Sequence, residues 1–236
     1  MKVRINKYLA ACGLGSRRRV ENYINQRKVS INGKLARLYD YVYPEADTVM
    51  VGGKIVKPKS FEYYILNKPK GIVSTTKDEF DRKTVLDFVR SRSKQSLKIA
   101  GRLDINTTGL VLLTNDSRLV EKIIGPKSSV PKTYKVLVAG DLSQNQINRL
   151  QTGVDLGGYI TKKAKINNIK RFSGKTEFEI TLYEGKNHQI KRMCERVKLS
   201  FLDLQRISIG KLMLGCLAIG QVKKLKAEFI AKAFDL

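Results

Sequence analysis

The chain opens with apolar residues at helical spacing. Ile5, Tyr8, Leu9 and Cys12 fall at i, i+3, i+4 and i+7, and Gly13 and Gly15 end the segment. Ser16 caps a second predicted helix whose inward face is Val20, Tyr23 and Ile24. The period then changes. "RKVSINGK" reads as a short strand with an Asn32-Gly33 turn, and "VMVGGKIV" as an alternating hairpin around Gly52-Gly53. "VKPKSFEY", with Pro58 and Ser60, reads as a linker, which predicts domains at residues 1–60 and 61–236.

Beyond the linker, short strands and helices are mixed. "YYILNKP", "GIVST", "GLVLLT", "KTYKVLV" and "TEFEITLY" have strand character, as does "TKKAKI", whereas "TVLDFV", "SRLVEKII", "LSQNQINRL" and "NHQIKRMCERV" have helical character. The pattern predicts an α+β fold: a small helix–helix–hairpin domain followed by a larger domain with a mixed or antiparallel sheet. No uninterrupted apolar run reaches the roughly 18 residues of a membrane span, and the N-terminus has no continuous hydrophobic segment of a secretory leader. No membrane partner is expected.

Charge narrows the function. The chain has 46 Lys and Arg against 21 Asp and Glu, a formal net charge of +25 spread along its 236 residues. Such a field favours nucleic acid as the partner. Three well-separated cysteines and a single histidine offer neither a disulfide framework nor a zinc set, so a reducing cytoplasm is the expected compartment.

Two places break the local rules. Arg17, Arg18 and Arg19 occupy the first turn of the second helix, where the helix dipole disfavours cations. An arriving phosphate resolves that conflict, and a solvated basic face is the plainer alternative. The other is "GRLDINTTGL", which holds the carboxylate Asp104 in a strongly cationic chain. Read locally, Asp104 is a turn former bonded to the backbone two residues on.

The longer pattern changes that reading. Residues 3 to about 55 resemble the S4 RNA-binding domain, on "RINKYLAACGLGSRRRVENYI" and "VSINGK". The whole chain resembles the rRNA pseudouridine synthases that carry an N-terminal S4 domain, on four blocks in order: "LNKPKGIVSTT", "GRLDINTTGLVLLTND", "KTYKV" and "EGKNHQIKRMCE". The resemblance implies isomerisation of uridine: the N1–C1′ bond breaks, the base turns, and C5 bonds to C1′. No atom is gained or lost, so no metal or other cofactor is implied.

Carried over to this sequence, the catalytic carboxylate is Asp104, Lys191 is its cationic partner, and Tyr134 stacks on the flipped base and helps remove the C5 proton. Lysine at 191 departs from the arginine of many relatives and pairs as a point charge rather than a fork. Arg102 holds the flipped nucleotide or fills its place. The RNA-contacting set is completed by Arg17, Arg18, Arg19, Lys28, Asn32, Lys68 and Arg192, with Lys70 beside Lys68 in a turn fixed by Pro69 and Gly71. His188 is expected to hold its motif in place or sit at the surface. Without the resemblance, Lys191 would be an exposed helix cation near Glu195, and Tyr134 a core tyrosine on one strand face with Val136 and Val138. The substrate expected is 23S rRNA, with 16S rRNA and tRNA as alternatives, and a monomer is the default. The competing classes are a noncatalytic ribosome-assembly factor and a metabolic enzyme of incidental charge; steep salt dependence of RNA binding separates the second.

Overall fold

A computed structural model describes residues 2–58, 60–76 and 78–235, and the chain divides into two compact units, Met1–Phe61 and Glu62–Leu236. Lys59, within the predicted linker, lies outside the described residues.

The first unit packs helices α1 (Ile5–Ala11) and α2 (Arg17–Asn25) on short strands β1 (Val3–Arg4), β2 (Val29–Ile31), β3 (Lys34–Leu35), β4 (Tyr41–Val42), β5 (Val49–Val51) and β6 (Lys54–Ile55). Ile5, Tyr8, Leu9, Cys12, Val20 and Ile24 are all buried against Val29, Val42 and Val49, as the helical spacing requires. The Ser16 side chain accepts from the Arg19 backbone N–H and caps α2. Asn32 and Gly33, and likewise Gly52 and Gly53, have positive φ, which suits the two tight hairpin turns linking β2 to β3 and β5 to β6.

The second unit is built on a nine-stranded sheet. Its strands are β7 (Tyr63–Lys68), β8 (Lys98–Ile99), β9 (Thr108–Thr114), β10 (Lys132–Ala139), β11 (Lys165–Phe172), β12 (Lys175–Leu182), β13 (Ser200–Ile209), β14 (Leu212–Met213) and β15 (Val222–Leu225). The order is β11-β12-β10-β13-β9-β7-β15, with β14 on β13 and β8 on β9. Every pairing is antiparallel except β13 with β9, which is parallel and held by two register pairs, Gln205↔Thr108 and Arg206↔Gly109. Two antiparallel halves thus meet at one short seam.

Around the sheet lie α3 (Ser117–Ile124), α4 (Gln144–Thr152), α5 (Gln189–Arg196) and α6 (Ala227–Phe234). The period of two divides β7 and β9 between two cores. Tyr63, Ile65, Leu110 and Leu112 pack on one face with residues of α3 and α6, while Tyr64, Leu66, Val111 and Leu113 pack on the other. The other half of the sheet buries Val136, Val138, Phe178 and Ile180 against α4 and α5.

Two predicted elements are absent. "TVLDFV" forms successive turns rather than a helix, because the Asp87 carboxylate accepts from both the backbone and the hydroxyl of Thr84, and the following backbone bonds span three residues. Its Val85 and Val89 are nevertheless buried. "GIVST" is not a strand but makes one bridge, Val73 to Thr84, and lies along the cleft described next. In "TKKAKI" the strand begins only at Lys165.

Candidate active site

The turn preceding β9 carries Asp104, and four residues hold that turn. The Leu103 N–H donates to the Ser74 hydroxyl at 3.2 Å, the Gly71 N–H donates to the Ile105 carbonyl at 2.9 Å, and the Lys68 ammonium donates to the same carbonyl at 3.1 Å. From β13, the Arg206 guanidinium donates to the Gly101 carbonyl at 2.8 Å, to Arg102 at 3.4 Å and to Leu110 at 2.7 Å. The backbone carbonyl of Asp104 closes the turn by accepting from Thr107, which leaves its carboxylate uncommitted to backbone.

That carboxylate faces a lysine and a histidine. Lys191 Nζ is 3.9 Å from Oδ2, and His188 Nε2 is 3.8 Å from Oδ1, with the Asp104 side chain one-third exposed. Both partners come from the start of α5: Lys191 in its first turn, and His188 as its N-terminal cap in the left-handed conformation, φ +50°. Ile190, Met193 and Cys194 bury the opposite face of α5 and fix its rotation. The contacts exceed hydrogen-bond length, so the carboxylate is oriented yet open to a third group.

Asp104, Lys191, His188, Arg102 and Tyr134 line a cleft of about 880 Å³. Tyr134 projects from β10 on the same face as buried Val136 and Val138 and packs against the cores of both sheet halves. The site therefore straddles the seam: the carboxylate precedes β9, while the aromatic ring, Lys191 and His188 come from the other half. Arg102 is exposed at the rim.

Other expected contacts sit differently. Lys68 is fully buried and donates to the carbonyls of Pro69, Ile72 and Ile105, so it cannot reach a phosphate; it braces the Asp104 turn. Arg192 points its guanidinium at the Leu156 carbonyl, 2.6 Å away, and at the Tyr159 ring, and does not line the cleft. Lys70 pairs with Asp203 at 2.9 Å. In the first unit Arg17, Arg18, Arg19 and Lys28 are exposed, but both ends of the Asn32 amide are committed, one to Asp47 and one to the Thr48 N–H. Sequence reasoning missed Arg206, buried at 2% exposure, and Lys132, which donates to the Ile123 carbonyl. Neither carries a local signal beyond its charge.

Burial drives the Lys68 ammonium down to about 8, partly opposed by the nearby Asp104 charge. Lys132 is pushed down to about 8, first by burial and then by the Arg206 charge. Below about pH 8 both lysines are protonated folded and unfolded, and the full burial penalty applies. Between about 8 and 10.5 the unfolded chain binds more protons, so stability rises with pH. The buried thiols of Cys12 and Cys194, pushed up to about 12, reverse the trend above roughly pH 9. Unfolding free energies from urea titrations should increase from pH 7 to 9, by about 1 kcal/mol per lysine before the opposing thiols are counted. Lys132→Met should remove part of that rise; a steady decline from pH 7 would contradict the assignment.

Comparison with known proteins agrees with this geometry. Residues 62–196 match the RNA pseudouridylate synthase family, and residues 3–49 match the S4 domain. A protein of Aquifex aeolicus described as an uncharacterized RNA pseudouridine synthase is 38% identical over 99% of this chain and 94% of its own. The dual-specificity RNA pseudouridine synthase RluF of Escherichia coli is 38% identical over 99% of this chain and 79% of its own. Ribosomal large subunit pseudouridine synthase B of Bacillus subtilis is 33% identical over 94% and 91%. A crystal structure of a pseudouridylate synthase superposes with a TM-score of 0.67 at 29% identity, covering 98% of this chain and 99% of the other.

The fold and these matches thus define an RNA-modifying isomerase that carries an N-terminal S4 domain. The chain belongs to the RNA pseudouridylate synthase family.

Proposed function

We propose that this enzyme converts a specific uridine of ribosomal RNA, in the 23S molecule, to pseudouridine. The observation that carries the reading is the Asp104 carboxylate, held on a turn braced from four directions and facing Lys191 across a cleft that also contains Tyr134. An uncommitted carboxylate beside a cation is suited to act at the sugar carbon, either as nucleophile or as the base that begins elimination. The bond from N1 to C1′ breaks, the bond from C5 to C1′ forms, and the proton leaving C5 is balanced by one gained at N1. Lys191 sets a positive charge against the Asp104 carboxylate, offsetting the repulsion of the substrate's phosphates. The Tyr134 ring supports the turning base, and its hydroxyl assists proton removal from C5.

A stacked nucleotide does not present its sugar carbon to the cleft, so the uridine is flipped out and Arg102, exposed at the rim, holds it or fills its place. Arg17, Arg18, Arg19 and Lys28 supply phosphate contacts from the S4 domain. The large-subunit target is supported by the B. subtilis relative's name. A second RNA substrate, a tRNA, is the alternative favoured by the likeness to a dual-specificity enzyme; 16S rRNA is less favoured. The enzyme acts as a monomer in the cytoplasm; among the described residues no helix is long and apolar enough to cross a membrane.

The test is to incubate transcribed 23S rRNA, 16S rRNA and tRNA with the protein and map pseudouridine at nucleotide resolution. One new site in 23S rRNA is expected. A site only in 16S rRNA or tRNA would overturn the target, and no product on any of them, or on immature ribosomal particles, would overturn the activity.

A further inference from the structure

Three tyrosines crowd the surface of the first unit within five residues. Tyr39, Tyr41 and Tyr43 are 73%, 46% and 53% exposed, while Val42 between the last two is fully buried. Strand alternation places Tyr41 and Tyr43 on the outward side of β4, with Tyr39 in the turn just before it. Single exposed aromatics are ordinary, but three together leave a sizeable area of flat ring in water. None is needed for the core, which this segment supplies through Val42.

The surrounding groups indicate what the rings face. Arg4 is the cross-strand partner of Tyr41 and places its charge beside that residue. Lys2 Nζ sits 4.8 Å from the centre of the Tyr41 ring. Hydrogen bonding to Arg4, its charge, and those of Lys2 and Lys7 hold the Tyr41 phenol below its ordinary value, so the patch is electropositive. Nearby carboxylates are engaged by local donors: Asp40 accepts from the Arg37 N–H, and Asp47 accepts from the Tyr43 N–H and the Asn32 amide, while Glu45 is exposed.

The backbone beneath the rings is anchored. The Ile5 N–H donates to the Asp40 carbonyl, and the Tyr43 carbonyl accepts from both Ala46 and Asp47. Rings held on a fixed backbone lose little freedom on binding.

We propose that Tyr39, Tyr41 and Tyr43, flanked by Lys2 and Arg4, form a stacking platform for unpaired bases of the substrate RNA. Flat π-faces interleaved with cations match a single strand, which offers bases to stack and phosphates to neutralise. A duplex hides its base faces and offers only phosphates. The platform thus complements the arginines of α2, which read charge alone, and gives the S4 unit a preference for unpaired RNA. The proposal rests on the RNA-modifying reading but concerns a surface distinct from the cleft.

The test uses the full chain and fluorescence anisotropy with two probes of one sequence: a single-stranded oligoribonucleotide of about 12 nucleotides and its blunt duplex. Tyr41→Ala and Tyr43→Ala should each weaken single-strand binding by about fivefold or more, with the duplex unchanged. Tyr41→Phe and Tyr43→Phe should bind as wild type, since the ring remains. The slope of affinity against salt should be unaltered in all four, whereas replacing Arg17, Arg18 and Arg19 should flatten it.

Alanine variants that bind the single strand as wild type does would overturn the proposal. So would equal losses on both probes, or phenylalanine variants as weak as the alanine ones. Pseudouridine formed normally by a wild type that does not prefer the single strand would sink the platform alone; absence of pseudouridine from every RNA would sink the enzymatic reading instead.

Discussion

Asp104→Asn should lose pseudouridine formation by at least about a thousandfold while binding substrate RNA within roughly twofold of wild type. The amide preserves the shape of the side chain and leaves the turn intact, because the braces around it are made to the backbones of Gly101, Arg102, Leu103 and Ile105, not to the carboxylate. What disappears is the negative charge facing Lys191 and, with it, the carboxylate proposed to act at the sugar carbon. Single-turnover kinetics with trace-labelled RNA separate this from a binding defect. Turnover by the asparagine variant near the wild-type rate would show that the carboxylate is a turn former only.

Arg206→Met should have the second largest effect, and on stability as well as rate. The guanidinium is 2% exposed, and removing it leaves the Gly101, Arg102 and Leu110 carbonyls short of donors. Leaving such groups unpaired costs about 3 kcal/mol or more, equivalent to a melting temperature lower by roughly 10 °C for a domain of this size. Methionine fills much of the volume, so the loss reports hydrogen bonding rather than a cavity. With the brace gone, kcat should fall at temperatures where the variant is still folded, because the carboxylate is no longer held in place. Calorimetry together with kcat measured below the melting transition checks both parts; an unchanged melting temperature would mean that water replaces the guanidinium.

Much of this architecture was readable before any coordinates. In the first unit Ile5, Tyr8, Leu9 and Cys12 keep a clean helical period and the Asn-Gly and Gly-Gly turns have the only geometry that closes so short a hairpin, so propensity and packing agree. Strand β9 was equally plain, since seven consecutive buried residues leave no polar interruption. Strand β13 escaped notice for the opposite reason: its inward positions include Arg206 and Ser208, which breaks the alternation of apolar residues.

The segment "TVLDFV" misled because Val85 and Val89 have helical spacing, yet the Asp87 side chain captures Thr84 and diverts the backbone into turns. At the proposed site, the order of the four blocks, rather than local chemistry, points to Asp104, Tyr134 and Lys191, which line one cleft. Lys68 was misread as a phosphate contact because a lysine is nearly always exposed, and only the three-dimensional path of Pro69, Ile72 and Ile105 supplies the carbonyls that allow it to be buried. Arg192 and Asn32 were similarly claimed by nearby protein partners.

The seam between β13 and β9 also bears on the birth of the enzyme. Arg206 and the Leu110 carbonyl that it grips are 96 residues apart, and the parallel pair of strands they belong to is the sole strand pairing among the described residues between the two halves of the sheet. On a translating ribosome, the carboxylate, the aromatic ring and the lysine all emerge before the strand that clamps the Asp104 turn. An RNA-modifying enzyme synthesised amid rRNA thereby lacks the Arg206 clamp on its Asp104 turn until β13 has been made.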